Sequence, residues 1–111
     1  MDDRLPAHLW IMAQIRRCNA TGLPAMVVRK GEQMGGLVLL KLNLLNGTAR
    51  VLTQQRNLAG ELGWLAALGG AAVPESEADA YIARSSTRDP DLWVIEVETH
   101  ADENPFEGKL I

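Results

Sequence analysis

The sequence predicts one α+β domain in which two helices cover a mostly antiparallel sheet of about five strands. Three observations predict it. Two segments with helical spacing of apolar residues lie toward opposite ends, four strand-like segments lie between them, and one alternating segment follows. The expected order is α-β-β-β-β-α-β. At 111 residues the chain is long enough for one such domain at 1–100, ahead of an acidic tail at 101–111.

The first helix is expected at residues 7–20. Its boundaries are marked by residues that start or stop helices, namely Pro6, Gly22 and Pro24. Ile11, Ile15 and Cys18 fall on one face of this helix. Cys18 therefore lies on the apolar stripe, near a helix C-terminus whose dipole opposes a thiolate. We interpret Cys18 as a core residue rather than a nucleophile.

Four candidate strands follow, at 25–30, 37–45, 48–55 and 61–68. The second is apolar on both faces, which is typical of a central strand in a covered sheet or of a subunit interface. The dipeptide Asn46–Gly47 predicts a hairpin between the second and third strands. The last of the four also has helical spacing, but Gly63 favours a strand.

A second helix is expected at 74–88, with acidic residues in its first turn and arginines toward its end. The segment 91–99 then alternates as a strand. Trp93, Ile95 and Val97 point inward in this interpretation, and Glu96 and Glu98 point outward. We expect the tail at 101–111 to be mobile unless Phe106 or Leu110 packs on the domain.

Charge is distributed unevenly along the chain, whose net charge is −3. Residues 1–60 contain eight basic and three acidic side chains, and residues 61–111 contain three basic and eleven acidic ones. Such polarity is consistent with a basic surface for nucleic acid, with head-to-tail docking, or with oppositely charged faces of one domain. The single cysteine excludes an intramolecular disulfide and fits a reducing compartment. With no secretion signal or membrane-length apolar run recognised, a cytoplasmic location is expected.

No catalytic or cofactor-binding pattern is recognised. The glycine-containing segments at 31–36 and 69–74 lack the spacing of nucleotide-binding loops, so no cofactor is predicted. Weak metal-ligand candidates are Glu96, Glu98 and His100, whose two-residue spacing places them on one side of a strand, about 6–7 Å apart. The alternative is a solvated outer face.

Candidate interaction residues come from the first helix and the central hairpin. Trp10, Gln14 and Arg17 share a second helical face, and an exposed tryptophan beside arginine is typical of binding hot spots. Alternatively, Trp10 folds back onto the sheet. Lys41 and Arg50 lie across the hairpin and form a basic strip if they share a face. Single-strand binders usually add exposed aromatics to such a strip, and these strands carry none.

Several segments resemble one known family. They are "RRCNATG", "VVRKG", "LVLLKLN", "VLTQ", "ADAYIAR" and "RDPDLWVIEVE". In this order they are similar to the alphaproteobacterial "domain of unknown function 1491" family of small uncharacterised proteins. The resemblance implies a compact bacterial cytoplasmic domain with no assigned activity, cofactor or partner, so it supplies no functional residues.

Three functional hypotheses follow. The leading one is a small non-enzymatic interaction module that self-associates or binds a protein partner, and a homo-oligomer is therefore expected. The second is a binder of nucleic acid or an anionic ligand through the basic N-terminal half. The third is a metal-dependent enzyme at Glu96, Glu98 and His100.

Overall fold

Two helices pack on opposite faces of one seven-stranded sheet in the computed structural model, which describes residues 5–100 and 104–110. The helices are α1 (Ala7–Ala20) and α2 (Glu75–Arg88). The strands are β1 (Ala25–Arg29), β2 (Val38–Asn43), β3 (Thr48–Arg56), β4 (Leu62–Ala66), β5 (Val73–Pro74), β6 (Trp93–Glu98) and β7 (Lys109–Leu110). The predicted α+β class, both helices and the strand at 61–68 are confirmed.

The sheet is mixed and has seven strands rather than about five, which corrects the predicted topology: two of its six pairings are parallel. Its order is β1-β6-β2-β3-β4-β7, with β5 paired to β3. β6 runs parallel to β2, and β7 runs parallel to β4. After α2 the chain enters the sheet between β1 and β2 in the direction of β2. β5 and β7 have two residues each, too few to produce a periodic sequence pattern.

The central strand β2 is buried on both sides. Its alternate residues Val38, Leu40 and Leu42 belong to the apolar cluster beneath α1, whereas Leu39 belongs to the cluster beneath α2. The two-sided apolar pattern therefore corresponds to a covered central strand. Cys18 lies in the α1 cluster, and its burial raises the pKa of the thiol against the lowering effect of the Arg17 charge. The interpretation of Cys18 as core is confirmed.

The predicted hairpin joins β2 to β3 through a loop of Leu45, Asn46 and Gly47. The Leu44 amide donates to the Thr48 carbonyl at 3.1 Å. Leu45 and Gly47, with φ of 65° and 85°, adopt the left-handed region, and Asn46 does not. Asn46 instead accepts a hydrogen bond from the Thr48 amide through its side chain.

The C-terminal segment packs on the domain at residues 104–110. Phe106 is buried, and its ring makes edge-to-face contacts with Trp10 and Trp64 at centroid distances of 5.9 and 6.2 Å. Gly108 is required beside the Trp64 ring, because a Cβ there would lie 2.7 Å from Nε1. Phe106 therefore packs on the domain, which is the condition under which the tail was not expected to be mobile. The prediction of mobility for residues 101–103 and 111 lies outside the described residues.

Candidate interaction surface

Trp10 lies inside the domain, so the interpretation in which its side chain is exposed is wrong. The side chain is 6 % exposed, because Phe106 from the C-terminal segment covers the ring. The alternative interpretation, in which the tryptophan folds onto the domain, is correct. The covering residue is separated from Trp10 by most of the chain, and the helical periodicity of α1 contains no information about it.

Gln14 and Arg17 hold the same C-terminal segment. The Gln14 Oε1 atom accepts hydrogen bonds from the Glu107 amide at 3.0 Å and from Arg17 Nη2 at 2.9 Å. Arg17 Nη2 also donates to the Pro105 carbonyl at 2.8 Å. These two side chains therefore serve the chain's own fold, and their binding to a separate partner stays a prediction.

Lys41 lies between the sheet and α2, and it forms no basic strip with Arg50. The register pairs Lys41 with Val51 and Arg50 with Leu42, which puts the two basic side chains on opposite faces. Lys41 is 4 % exposed. Arg50 Nε donates to the Gly70 carbonyl at 3.0 Å.

Three carboxylates surround the Lys41 ammonium. Its Nζ lies 2.7 Å from Glu75 Oε2, 2.7 Å from Asp79 Oδ1 and 3.6 Å from Glu96 Oε1. Burial lowers the pKa of Lys41, but the hydrogen bonds to Asp79 and Glu75 and the charge of Glu96 outweigh it, so the pKa is raised. This group attaches α2 to the sheet.

The weak metal candidates do not form a ligand set in the structure. Glu96 accepts a hydrogen bond from Asn43 Nδ2 at 3.1 Å and faces the Lys41 ammonium, while His100 is exposed. Within residues 5–100 and 104–110, no group of three or more His, Cys, Asp or Glu side chains is arranged to hold a metal ion. Glu96 is therefore paired with the Lys41 ammonium group.

The outward face of α1 is the surface that the sequence reasoning missed. Its residues, here called the outer stripe, are Leu9, Met12, Ala13, Arg16 and Ala20, all exposed and all on the side opposite the buried residues. Leu9 is 49 % exposed and Met12 is 45 % exposed. The sequence contained a sign of this surface, because the apolar residues Leu9, Met12 and Ala13 lie on a helical face separate from that of Ile11, Ile15 and Cys18 and from that of Trp10, Gln14 and Arg17.

A second exposed apolar pair, Met26 and Val28, lies on the edge strand β1. An edge strand offers unpaired backbone groups to another chain. On β1 this edge is partly closed, because the Ala25 amide donates to Asn19 Oδ1 at 3.0 Å. The two pairs of large apolar side chains are similarly exposed, and the outer stripe is the more extended surface because it also includes Ala13 and Ala20.

Most of the chain is similar to proteins of one family. The family model described as "Protein of unknown function (DUF1491)" matches residues 5–107. The chain belongs to the DUF1491 family. The resemblance seen in the sequence is therefore confirmed. Among functionally curated proteins, none matches this DUF1491 chain.

Solved DUF1491 structures share the fold. The crystal structure of a DUF1491 family protein from Caulobacter crescentus CB15 has 32% sequence identity and a TM-score of 0.84, covering 96% of this chain and 99% of that one. An NMR structure of a DUF1491 family protein from Caulobacter crescentus CB15 has 32% identity, 97% coverage of both chains and a TM-score of 0.83. A solution structure from A. tumefaciens has 29% identity, 86% coverage of both and a TM-score of 0.74.

In the part of the chain that the structure describes, no helix combines the length and apolar character necessary to cross a bilayer.

Proposed function

We propose that this DUF1491 protein is a non-enzymatic interaction module that self-associates through the outer stripe of α1. The observation that carries the proposal is the pair Leu9 and Met12, two large apolar side chains about half exposed on the outward face of a helix. The inward face of the same helix is already buried against the sheet. A helix that is apolar on both sides is typical of a buried element, which favours a further partner over α1.

The size of the stripe predicts a modest affinity. A helix of 14 residues is about 21 Å long. Burying the exposed part of Leu9 or Met12 contributes about 1 kcal/mol for each side chain. An interface of this size belongs to the small, weak and reversible class.

A second copy of the chain is the occupant that the charges favour. Arg16 is a charged member of the stripe and lies between Ala13 and Ala20. In an antiparallel pair related by a two-fold axis near Ala13, the two Arg16 side chains lie on opposite sides of the axis, which keeps the like charges apart. The two helix dipoles then run antiparallel, which stabilises the pair.

The basic residues of the N-terminal half give less support to nucleic-acid or anion binding as the main function. Arg29 donates to the Leu92 carbonyl at 2.6 Å, and Arg56 donates to the Gly60 carbonyl at 2.6 Å. Lys41 is buried among carboxylates. A cytoplasmic location is part of the proposal, because a single buried thiol suits a reducing compartment.

Sedimentation velocity over a concentration series tests the proposal. The unaltered protein should shift from monomer to dimer with increasing concentration. Met12→Glu should raise the dissociation constant of the dimer about tenfold or more, because the interface would then bury a carboxylate in place of an apolar side chain. A tenfold change corresponds to about 1.4 kcal/mol of binding free energy. The control is Leu58→Glu, which makes a similar change at a fully exposed loop residue outside the stripe and should leave the dimer intact.

A monomer at every concentration would contradict self-association. Equal weakening by Met12→Glu and Leu58→Glu would contradict the assignment to the outer stripe. Circular dichroism of both variants should match the unaltered protein, because both side chains are exposed and substitution there changes stability by only about 0.5 kcal/mol or less.

A further inference from the structure

A small cavity lies at the start of α1, away from the outer stripe. It has a volume of about 90 Å³ and is bounded by the first turn of α1, the turn at 34–37 and the ends of β3 and β4. Trp10, Gln54 and Leu62 contribute to its walls, and the exposed side chains Leu5 and Met34 also line it. This site is independent of the proposed function.

The indole nitrogen of Trp10 has no hydrogen-bond acceptor. The other two tryptophans donate to backbone carbonyls, Trp64 to Glu107 at 2.9 Å and Trp93 to Glu32 at 2.7 Å. Trp10 Nε1 is buried, and no residue that the structure describes accepts its proton. An unsatisfied buried donor lowers stability, so an acceptor that enters this site relieves that penalty.

The Gln54 side chain in the cavity wall also offers a donor. Gln54 is buried, and its Oε1 accepts from the Val38 amide at 3.2 Å, which leaves the Nε2 end of the side chain as a donor. Among the described lining residues there is no aspartate or glutamate, and the nearby start of α1 is the positive end of its dipole. The chemistry of the wall favours a negatively charged acceptor.

The rest of the lining is apolar and sets the size of the ligand. Leu5, Met34 and Leu62 offer contacts to an alkyl group. Gly36 fixes the turn beside them, because a Cβ there would lie 2.3 Å from the Asp91 carbonyl. The cavity volume of about 90 Å³ is smaller than that of the ~150 Å³ cavities that accept benzene. A ligand with a short alkyl chain therefore fits.

We infer that this cavity binds a short-chain carboxylate. A carboxylate oxygen accepts hydrogen bonds from Trp10 Nε1 and from the Gln54 amide group, and the alkyl end packs against Leu5, Met34 and Leu62. Binding involves no covalent step. It gives Trp10 the acceptor that the other two tryptophans already have.

Titration with propionate, followed by the indole signals in ¹H–¹⁵N correlation spectra, tests this inference. Trp10→Phe assigns the Trp10 signal by its disappearance. Propionate should move that signal downfield in a saturable manner, while the signals of Trp64 and Trp93 stay in place. Propylammonium, which has a similar alkyl group and no acceptor, should produce no saturable shift.

Gln54→Glu provides the matched variant. The carboxylate of the variant keeps an acceptor for the Val38 amide and replaces the amide donor with a negative charge. Propionate binding should become at least about tenfold weaker, with the three indole signals showing that the fold is retained.

Two results would overturn the inference. One is a Trp10 signal that does not respond to propionate while showing a nuclear Overhauser effect to bound water, which would assign the site to an ordered water alone. The other is equal propionate affinity in the Gln54→Glu variant.

Discussion

The two helices of this DUF1491 protein have the same length and cover the same sheet, but they are attached to it differently. Each has 14 residues. The inward face of α1 is buried in an apolar cluster and includes Ile11, Ile15 and Cys18. On α2 the buried residues are Ala78 and Ser85, and its start is held by the ion pairs of Lys41. Apolar packing therefore dominates on one face of the sheet, and electrostatic contacts contribute more on the other.

The outward faces of the two helices also differ, because only that of α1 carries large exposed apolar side chains. α1 exposes Leu9 and Met12, whereas no large apolar side chain of α2 is exposed. The outward residues of α2 are small, polar or charged: Ser76, Glu77, Ala80, Arg84 and Thr87. The difference indicates that α2 ends the structure on its side of the sheet. On its own side, α1 leaves an apolar surface to be covered.

The largest expected effect comes from the inward face of α1. Ile11→Ala should lower the free energy of unfolding by about 2–5 kcal/mol, because Ile11 is fully buried and a cavity remains. The comparison variant is Ile82→Ala on α2, where the side chain is only partly buried and the loss should be smaller. Urea unfolding followed by tryptophan fluorescence measures both. Equal losses would contradict the difference in attachment.

The ion pairs of α2 should give a smaller effect. Lys41→Met should lower the free energy of unfolding by about 1–3 kcal/mol, because three carboxylates lose their common cation. The loss stays below that of a fully buried pair, since Glu75 and Asp79 are more than one-third exposed and solvent screens them. Hydrogen exchange should become faster in α2 and stay unchanged in α1. Lys30→Met, at an exposed lysine, is the control.

The pH dependence of the unfolding free energy in the alkaline range also tests the ion pairs of Lys41. The pKa of Lys41 is raised above its ordinary value of 10.5, so its stabilising contribution is fully present below pH 10.5 and is lost as the pH rises through the raised pKa. The difference in unfolding free energy between the unaltered protein and Lys41→Met should therefore decrease only above that pH. A decrease that is complete near neutral pH would contradict the ion-pair account.

Local sequence patterns predicted the elements well because their periodicity depends on near neighbours. The bounds of α1, the burial of Cys18 and the central position of β2 all follow from the spacing of apolar residues. The same patterns could not show which distant element covers a face. Trp10 is covered by Phe106, and Lys41 meets carboxylates from α2 and β6. Both errors in the candidate site arose from contacts between residues far apart in the chain.

Disulfide cross-linking tests the central claim, the pairing of α1 with a second copy, most directly. Ala13 lies near the middle of the outer stripe, so the two-fold axis of an antiparallel pair passes close to it. In a Cys18→Ala background, Ala13→Cys should form an interchain disulfide under mild oxidation, because small residues at a helix crossing bring the Cα atoms within about 4.4–6.8 Å. Ala80→Cys, on the outward face of α2, should remain monomeric. Equal cross-linking of the two variants, or none at Ala13→Cys, would contradict the account.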